Sequence, residues 1–376
     1  MMKVLLVDQI VKINYKYTFP LVNGLVKAGV LVTLVMDQKQ EKENCLCDRI
    51  KLFNTSEKGI KKISKLKNYI LSYKKIDKLL AAEQYDVLHT EWYTFSPVDY
   101  YFISSFKKKY KIKYVATVHD ILPFNQKFYD VIFHRKLYSI ADSIILQAPE
   151  NMKRFAKLFA ESKEKTIMIP HGHMLDYIET ADKKESRKLL DIPENKVVFM
   201  FFGQIKKVKG VDILLKALIL LKRKFTDLYV MIAGSVWKTD FAECQAIIDN
   251  NDLTECLKTD IRYIPDKEIK YFYAASDVCV LPYTDVFQSG VIQLAYGYKK
   301  PVVTSDLPAF TQFVEEGVTG FISKAGDVES LANAMERAIN SREYLDRIGQ
   351  AGHDLVKSQL NWNDLAKNIV TNCYQI

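Results

Sequence analysis

The sequence predicts an α/β protein made of two Rossmann-like parallel-sheet domains facing a cleft. Three observations predict this. Short, continuous Val/Ile/Leu runs of the kind found in strands buried on both faces alternate with helical patterns along the chain. The alternation weakens after Gly172, in the charged stretch LDYIETADKKESRKLLDIPENK, and then restarts. At 376 residues the chain is too long for one ordinary core. The expected domains are residues 1–175 and residues 176–359. A terminal helix near residues 360–376 is expected to pack back on the first domain.

In chain order, KVLLVD (3–8) reads as the first strand, followed by the helical YTFPLVNGLVKAG and the strand VLVTLVM (30–36). DVLHTE (86–91), KYVATVHD (113–120), SIILQA (143–148) and KTIMIPHG (165–172) complete the first set. The second set begins with VVFMFFG (197–203), a helix over 211–224, LYVMIAG (228–234) and DIRYIP (260–265). It closes with DVCVLPY (277–283), KPVVTSD (300–306) and GFIS (320–323). Asp327 is the expected N-cap of VESLANAMERAIN, with Glu329 in its first turn.

Hydrophobic content of 48% with only ten prolines describes a packed globular chain, not a disordered one. Six cysteines with one C-x-C and no C-x-x-C predict a reducing compartment and no metal site. The first apolar stretch, Val4 to Val7, is too short for a secretory signal, and no run nears the roughly 20 residues of a membrane span. The expected location is cytoplasmic or peripheral at the inner membrane face.

The net charge of +9 is uneven: residues up to Leu190 hold 33 basic and 21 acidic side chains. Within this half, KGIKKISKLKNYILSYKK (58–75) sets Ile60, Ile63, Leu66, Ile70 and Leu71 at helical spacing among lysines. That pattern fits either a solvated helix packed by its apolar stripe or attraction to an anionic membrane surface. No nucleic-acid-binding motif accompanies the charge, so nucleic acid is not an expected partner.

Ligands of open parallel sheets bind beyond the carboxyl ends of strands, so functional residues are sought there. The first strand exits into VDQIVKINYKY, which has no glycine and so no dinucleotide fingerprint. There is no P-loop and no D-x-D, so no metal and no cofactor are expected beyond the substrate itself. In FFGQIKKVKGVDILLKAL, a strand ends at Gly203 and three lysines, Lys206, Lys207 and Lys209, precede a helix opened by Gly210. Ammonium groups at a strand exit suit an anionic ligand such as a diphosphate. In DVFQSGVIQLAYGYKKPVV, Ser289 and Gly290 open an apolar helix whose first amides are unsatisfied and carry the positive dipole end.

FFG-x-I-x-x-x-KGVDILLKAL, DVCVLPYTDVFQSGV and KKPVVTSDLPAFTQFVEEGVTGFI together resemble family-4 glycosyltransferases of the GT-B fold, over roughly residues 195–323. DVLHTEW, TVHD and IPHG resemble strand-end motifs of the acceptor domain only loosely. The resemblance implies metal-independent transfer of a hexosyl group from a nucleotide sugar to a glycan or lipid-linked acceptor, with retained configuration. It implies donor contacts at Gly203, Gln204, Lys206, Lys209, Tyr283, Gln288, Ser289, Gly290 and Val291. His119 and Asp120 on the acceptor side, and Asp285, are the implied catalytic candidates, and His89 an acceptor-side contact.

Three departures stand out. Gln204 occupies the place of the family's usual arginine, and Val286 and Leu294 stand where two glutamates are common. These leave the stereochemical outcome open. They also keep two alternatives in play: a nucleotide-sugar epimerase of the same fold, which needs no acceptor, and a non-catalytic nucleotide-sugar or glycan-binding protein.

Overall fold

The computed structural model describes residues 1–37, 45–54, 62–123, 126–237, 240–286 and 289–375. Strands β1 (Lys3–Val7), β2 (Leu31–Asp37), β3 (Asp48–Phe53), β4 (Val87–Thr90), β5 (Lys113–Val118), β6 (Ser143–Leu146) and β7 (Thr166–Met168) form one sheet in the order β3-β2-β1-β4-β5-β6-β7. Strands β8 (Val197–Phe202), β9 (Leu228–Ala233), β10 (Leu257–Asp260), β11 (Val278–Leu281), β12 (Val302–Ser305) and β13 (Gly320–Ser323) form the other, ordered β10-β9-β8-β11-β12-β13. Every strand pair is parallel. In each sheet the winding reverses beside its first strand, at β1/β4 and at β8/β11, the switch points where open sheets bind ligands.

The chain divides into two compact units, Met1–Gly172 with Leu360–Ile376, and His173–Gln359. In the first unit β1 shows why continuous apolar runs form such sheets. Leu5 and Val7 enter a core with Tyr73, Ile103 and Leu137, while Val4 and Leu6 enter another with Leu21, Leu25 and Trp362. Successive side chains point to opposite faces, so both must be apolar. The helix Trp362–Ile369 seals the second of these cores. A Cβ on Gly172 would lie 2.2 Å from the Trp362 ring, and one on Gly24 would lie 2.7 Å from its carbonyl oxygen, so both glycines are required by close approach. Asp327 caps Val328–Asn340 as the sequence suggests, accepting from the Ser330 amide.

Three sequence expectations need correction. Strand β3 was not expected, because its polar, mostly exposed DRIKLF shows no buried-strand pattern at an edge. The strand expected over 260–265 is instead β10, ending at Asp260. Arg262 pairs with Asp260 and Glu268, Tyr263 is 72% exposed, and Pro265 caps the helix Asp266–Ala275.

The third correction concerns the basic helix, which runs Lys62–Ala82 and buries Tyr69, Tyr73, Ile76 and Leu80. Ile63, Leu66 and Leu71, the stripe that the packed-helix reading would bury, are 82%, 40% and 42% exposed. The three- and four-residue steps of the tyrosine side match the helix pitch, so that side faces the sheet. Residues 58–61 of that segment, Ile60 included, lie outside the described residues.

Candidate functional site

In the first unit, the residue immediately after each of four strands is polar: Asp8 after β1, Glu91 after β4, His119 after β5 and Gln147 after β6. Sheet order brings these four together although they are far apart in sequence. The Glu91 side chain is fully buried, and its Oε2 lies 2.8 Å from His119 Nε2, with one proton between them. The Gln147 amide donates to His119 Nδ1 at 3.1 Å, and Trp92 stacks on the imidazole with centroids 4.8 Å apart. Asp8 is fully buried as well, accepting from the Ile10 amide, Asn14 and Thr18.

Burial sets the charges here. Desolvation drives the Glu91 carboxyl up to about 7, with His89 opposing, and drives the Asp8 carboxyl up to about 6, aided by repulsion from Glu91. His119 is driven down to about 4 by burial, so it is a neutral imidazole near pH 7. It is not an open base. Both ring nitrogens are engaged, Nε2 with Glu91 and Nδ1 with Gln147.

Asp120, next in sequence, is exposed, and its carboxyl is raised mainly by partial burial. His89 does not line an acceptor surface. It is fully buried, one nitrogen 2.6 Å from the Tyr374 hydroxyl and the other 2.8 Å from Thr117 Oγ1. Its contact with Glu91 Oε1, 3.3 Å, lacks hydrogen-bond geometry, which leaves that buried oxygen without a hydrogen bond among the described residues.

The raised carboxyls predict a pH-dependent stability. Glu91 keeps its proton in the fold up to about 7 but loses it near 4.5 when unfolded, so its protonated burial costs nothing below 4.5 and destabilises progressively as pH rises to 7. Glu91→Gln, neutral throughout, is therefore expected to gain in melting temperature relative to wild type between pH 5 and pH 8. A difference that is flat or opposite in sign across that range refutes a protonated, buried Glu91.

In the second unit, the loop after β8 and the loop after β11 are pinned together. Gly203 has φ +121°, and a Cβ there would lie 3.5 Å from Val291 Cγ2, at the start of the helix Gly290–Gly297. Gly210 has φ +67°, and a Cβ there would lie 2.0 Å from the Pro282 carbonyl oxygen, so no other residue fits. The Thr284 amide donates to the Val208 carbonyl at 2.9 Å. The result sets the Lys209 ammonium 3.6 Å from the Tyr283 ring centroid.

Burial, then repulsion from Lys206, lowers the Lys209 ammonium to about 8, a cation waiting for a counter-charge. Lys206 lies over the Trp237 ring. Lys207 does not contribute: Glu243 and Asp212 hold it, which reduces the expected three lysines to two.

Ser289 sits in extended conformation before the helix, 7% exposed, its hydroxyl without a hydrogen bond among the described residues. Gly290 carries no positive φ, and among the described residues a Cβ there would meet only Met174 Cε at 3.8 Å, so these leave space beside the helix start. The structure thus gathers Gly203, Lys206, Lys209, Tyr283, Ser289, Gly290 and Val291. Gln204 and Asp285 are exposed on the same two loops, and Gln288 lies outside the described residues.

Asp8, Glu91 and Gln147 are not among the residues expected from the sequence, although each directly follows a strand, which is the signal that points to them. Among the described residues, no group of three or more His, Cys, Asp or Glu is placed to hold a metal ion.

Two family models match the chain: "Glycosyl transferases group 1" over residues 182–354 and "Glycosyl transferase 4-like" over residues 3–148. Anabaena HepE in complex with UDP superposes with a TM-score of 0.71 at 18% identity, over 100% of both chains. The chain belongs to the family-4-like glycosyltransferases of the GT-B fold. This glycosyltransferase is 24% identical over 224 residues to D-inositol 3-phosphate glycosyltransferase of Thermobifida fusca, covering 57% of this chain and 51% of that one. It is 23% identical over 253 residues to the capsular polysaccharide biosynthesis glycosyltransferase CapM of Staphylococcus aureus, 64% of each. The chain spans about half the length of the D-inositol 3-phosphate glycosyltransferases of Thermobifida fusca, Nocardia farcinica and Geodermatophilus obscurus.

Proposed function

We propose that this glycosyltransferase moves a hexosyl group from a nucleoside-diphosphate sugar to a glycan or lipid-linked acceptor in cell-surface polysaccharide or glycoconjugate synthesis. The observation that carries the reading is Lys209, a half-buried ammonium near a helix start beside which the described residues leave space. Negative charge grows on the diphosphate as the glycosidic bond breaks. Lys209, Lys206 and the first amides of Gly290–Gly297 are preorganised to receive it, which stabilises the transition state without a metal. In the first unit, His119 backed by Glu91, with Asp120 beside it, takes or steers the acceptor hydroxyl's proton. The UDP held by the similar HepE and the capsular role in CapM's name support this assignment.

The test is a panel of nucleotide sugars offered with and without lipid-linked and oligosaccharide acceptors, in excess EDTA, with nucleotide release and glycosylated product both measured. Acceptor-dependent transfer in EDTA is expected. Loss of activity on chelation with rescue by Mg²⁺ or Mn²⁺ refutes the metal-free part. Donor conversion without any acceptor product refutes transfer.

We extend the proposal to the membrane surface. The exposed Ile63, Leu66 and Leu71 project from a lysine-rich helix. A depression of about 460 Å³ alongside is lined by Leu66, Tyr69 and Phe95 with Lys65 and Lys127. Apolar area ringed by ammonium groups suits an anionic, amphiphilic surface, each lysine adding about 1 kcal/mol. No described helix is long and apolar enough to cross a membrane. Cosedimentation with phosphatidylglycerol vesicles is expected to fall steeply as salt rises, since screening lengths shrink to about 3 Å at 1 M. Binding that ignores both lipid charge and salt overturns the idea.

A further inference from the structure

The C-x-C motif belongs to neither group of candidate site residues, and the fold sets its sulfurs together: Cys45 Sγ and Cys47 Sγ are 3.2 Å apart. Both residues are half-buried and border a depression of about 550 Å³ that Thr33, Asp48 and Tyr85 also line, so a small molecule has access. Cys279 and Cys373 are buried thiols that burial pushes up to about 12. Cys244, pushed up to about 11 by partial burial, sits on another helix.

We propose that Cys45 and Cys47 form a reversible dithiol modification site, oxidised by a small disulfide of the glutathione class to an intramolecular Cys45–Cys47 bridge. The two sulfurs need only close from 3.2 Å to the roughly 2.0 Å of a disulfide bond.

The hydrogen bond to Cys45, then burial, pushes the Cys47 thiol up, and in the proposed exchange Cys45 is the attacking thiol. Its thiolate attacks one sulfur of the small disulfide, forming a mixed disulfide and releasing one thiolate. Cys47 then loses its proton to solvent and attacks Cys45 Sγ, releasing the second thiolate. The protein loses two protons and two electrons, and the small disulfide becomes two thiols. The loop enclosed is very short, so it contributes little chain-entropy stabilisation and thiols reverse it readily. Oxidation would tether the backbone that enters the edge strand β3, which begins at Asp48.

The experiment exposes native protein to oxidised glutathione, quenches with acid, alkylates, and weighs the tryptic peptide of residues 43–49. Loss of two hydrogens from that peptide, restored by reduced glutathione, is expected. Cys47→Ser is expected to stop at a glutathione adduct on Cys45, and Cys45→Ser to stay unmodified over the same period. Reduced wild type should also bind about one equivalent of phenylarsine oxide, lost in either variant. Persistent glutathione adducts on wild type, alkylation of both thiols after oxidant, or arsenical binding unchanged in the variants overturns the proposal.

Discussion

Replacing His119 by alanine is expected to lower turnover about 100-fold or more, the usual cost of losing an acid–base or positioning group, while nucleoside-diphosphate affinity changes little. The two effects separate because the His119 cluster and the Lys209 loops belong to different units of the chain. The imidazole is tethered to Glu91 at 2.8 Å and to Gln147 at 3.1 Å. A substrate hydroxyl that displaces Gln147 gains a neutral base whose far side rests on a carboxyl, which steadies the positive charge as the proton arrives.

Alanine also strips Glu91 of its partner, so lost stability has to be separated from lost chemistry. His119→Gln keeps a hydrogen-bonding group toward Glu91 and is expected to melt near the wild-type temperature yet show the same loss of turnover. Near-normal turnover in the folded glutamine variant removes His119 from the chemistry and moves attention to the exposed Asp120, or to Asp285.

Lys209→Ala is expected to weaken nucleoside-diphosphate binding by roughly 1.5–3 kcal/mol, the worth of a charged hydrogen bond, or about 10- to 100-fold in affinity. The nucleoside alone should lose far less, because it offers the ammonium no anion. The pH dependence provides a second reading. Lys209 titrates near 8 in the fold, well below its ordinary 10.5, through burial and then Lys206. Only the protonated form attracts a diphosphate, so wild-type affinity should fall as pH rises through about 8 toward 10, and the alanine variant should lose that slope.

Without nucleotide the sign reverses. The unfolded chain binds the proton more tightly than the fold between 8 and 10.5, so Lys209's penalty on stability relaxes over that interval. Calorimetry with a nucleoside diphosphate and its parent nucleoside decides the matter. Equal losses for both ligands show that Lys209 does not touch the phosphates.

Much of the loops after β8 and β11 was legible because local sequence specifies them. A glycine ending β8, lysines before Gly210, and Ser289–Gly290 before an apolar run each describe a backbone conformation a few residues long. Which lysine matters was not legible. Lys206, Lys207 and Lys209 look alike in sequence, and only the approach of Glu243 from another helix removes Lys207. Which side of the basic helix packs was not legible for a related reason. Ile63, Leu66 and Leu71 have helical spacing, but the sheet selected Tyr69, Tyr73, Ile76 and Leu80 of the same helix for burial.

The sequence by itself determined two parallel α/β sheets and the glycine and lysine loops after β8 and β11, because strand runs, helix periods and glycine turns are written in neighbouring residues. The tertiary structure alone decided the buried Glu91–His119 pair, the Lys209–Tyr283 contact and the need for glycine at Gly210. Parallel sheets place side by side strands that are tens of residues apart in the chain, and reverse their order at the switch point. Which strand-end side chains meet, and which charges thereby leave water, therefore follows from strand order and burial, neither of which a local stretch of sequence contains.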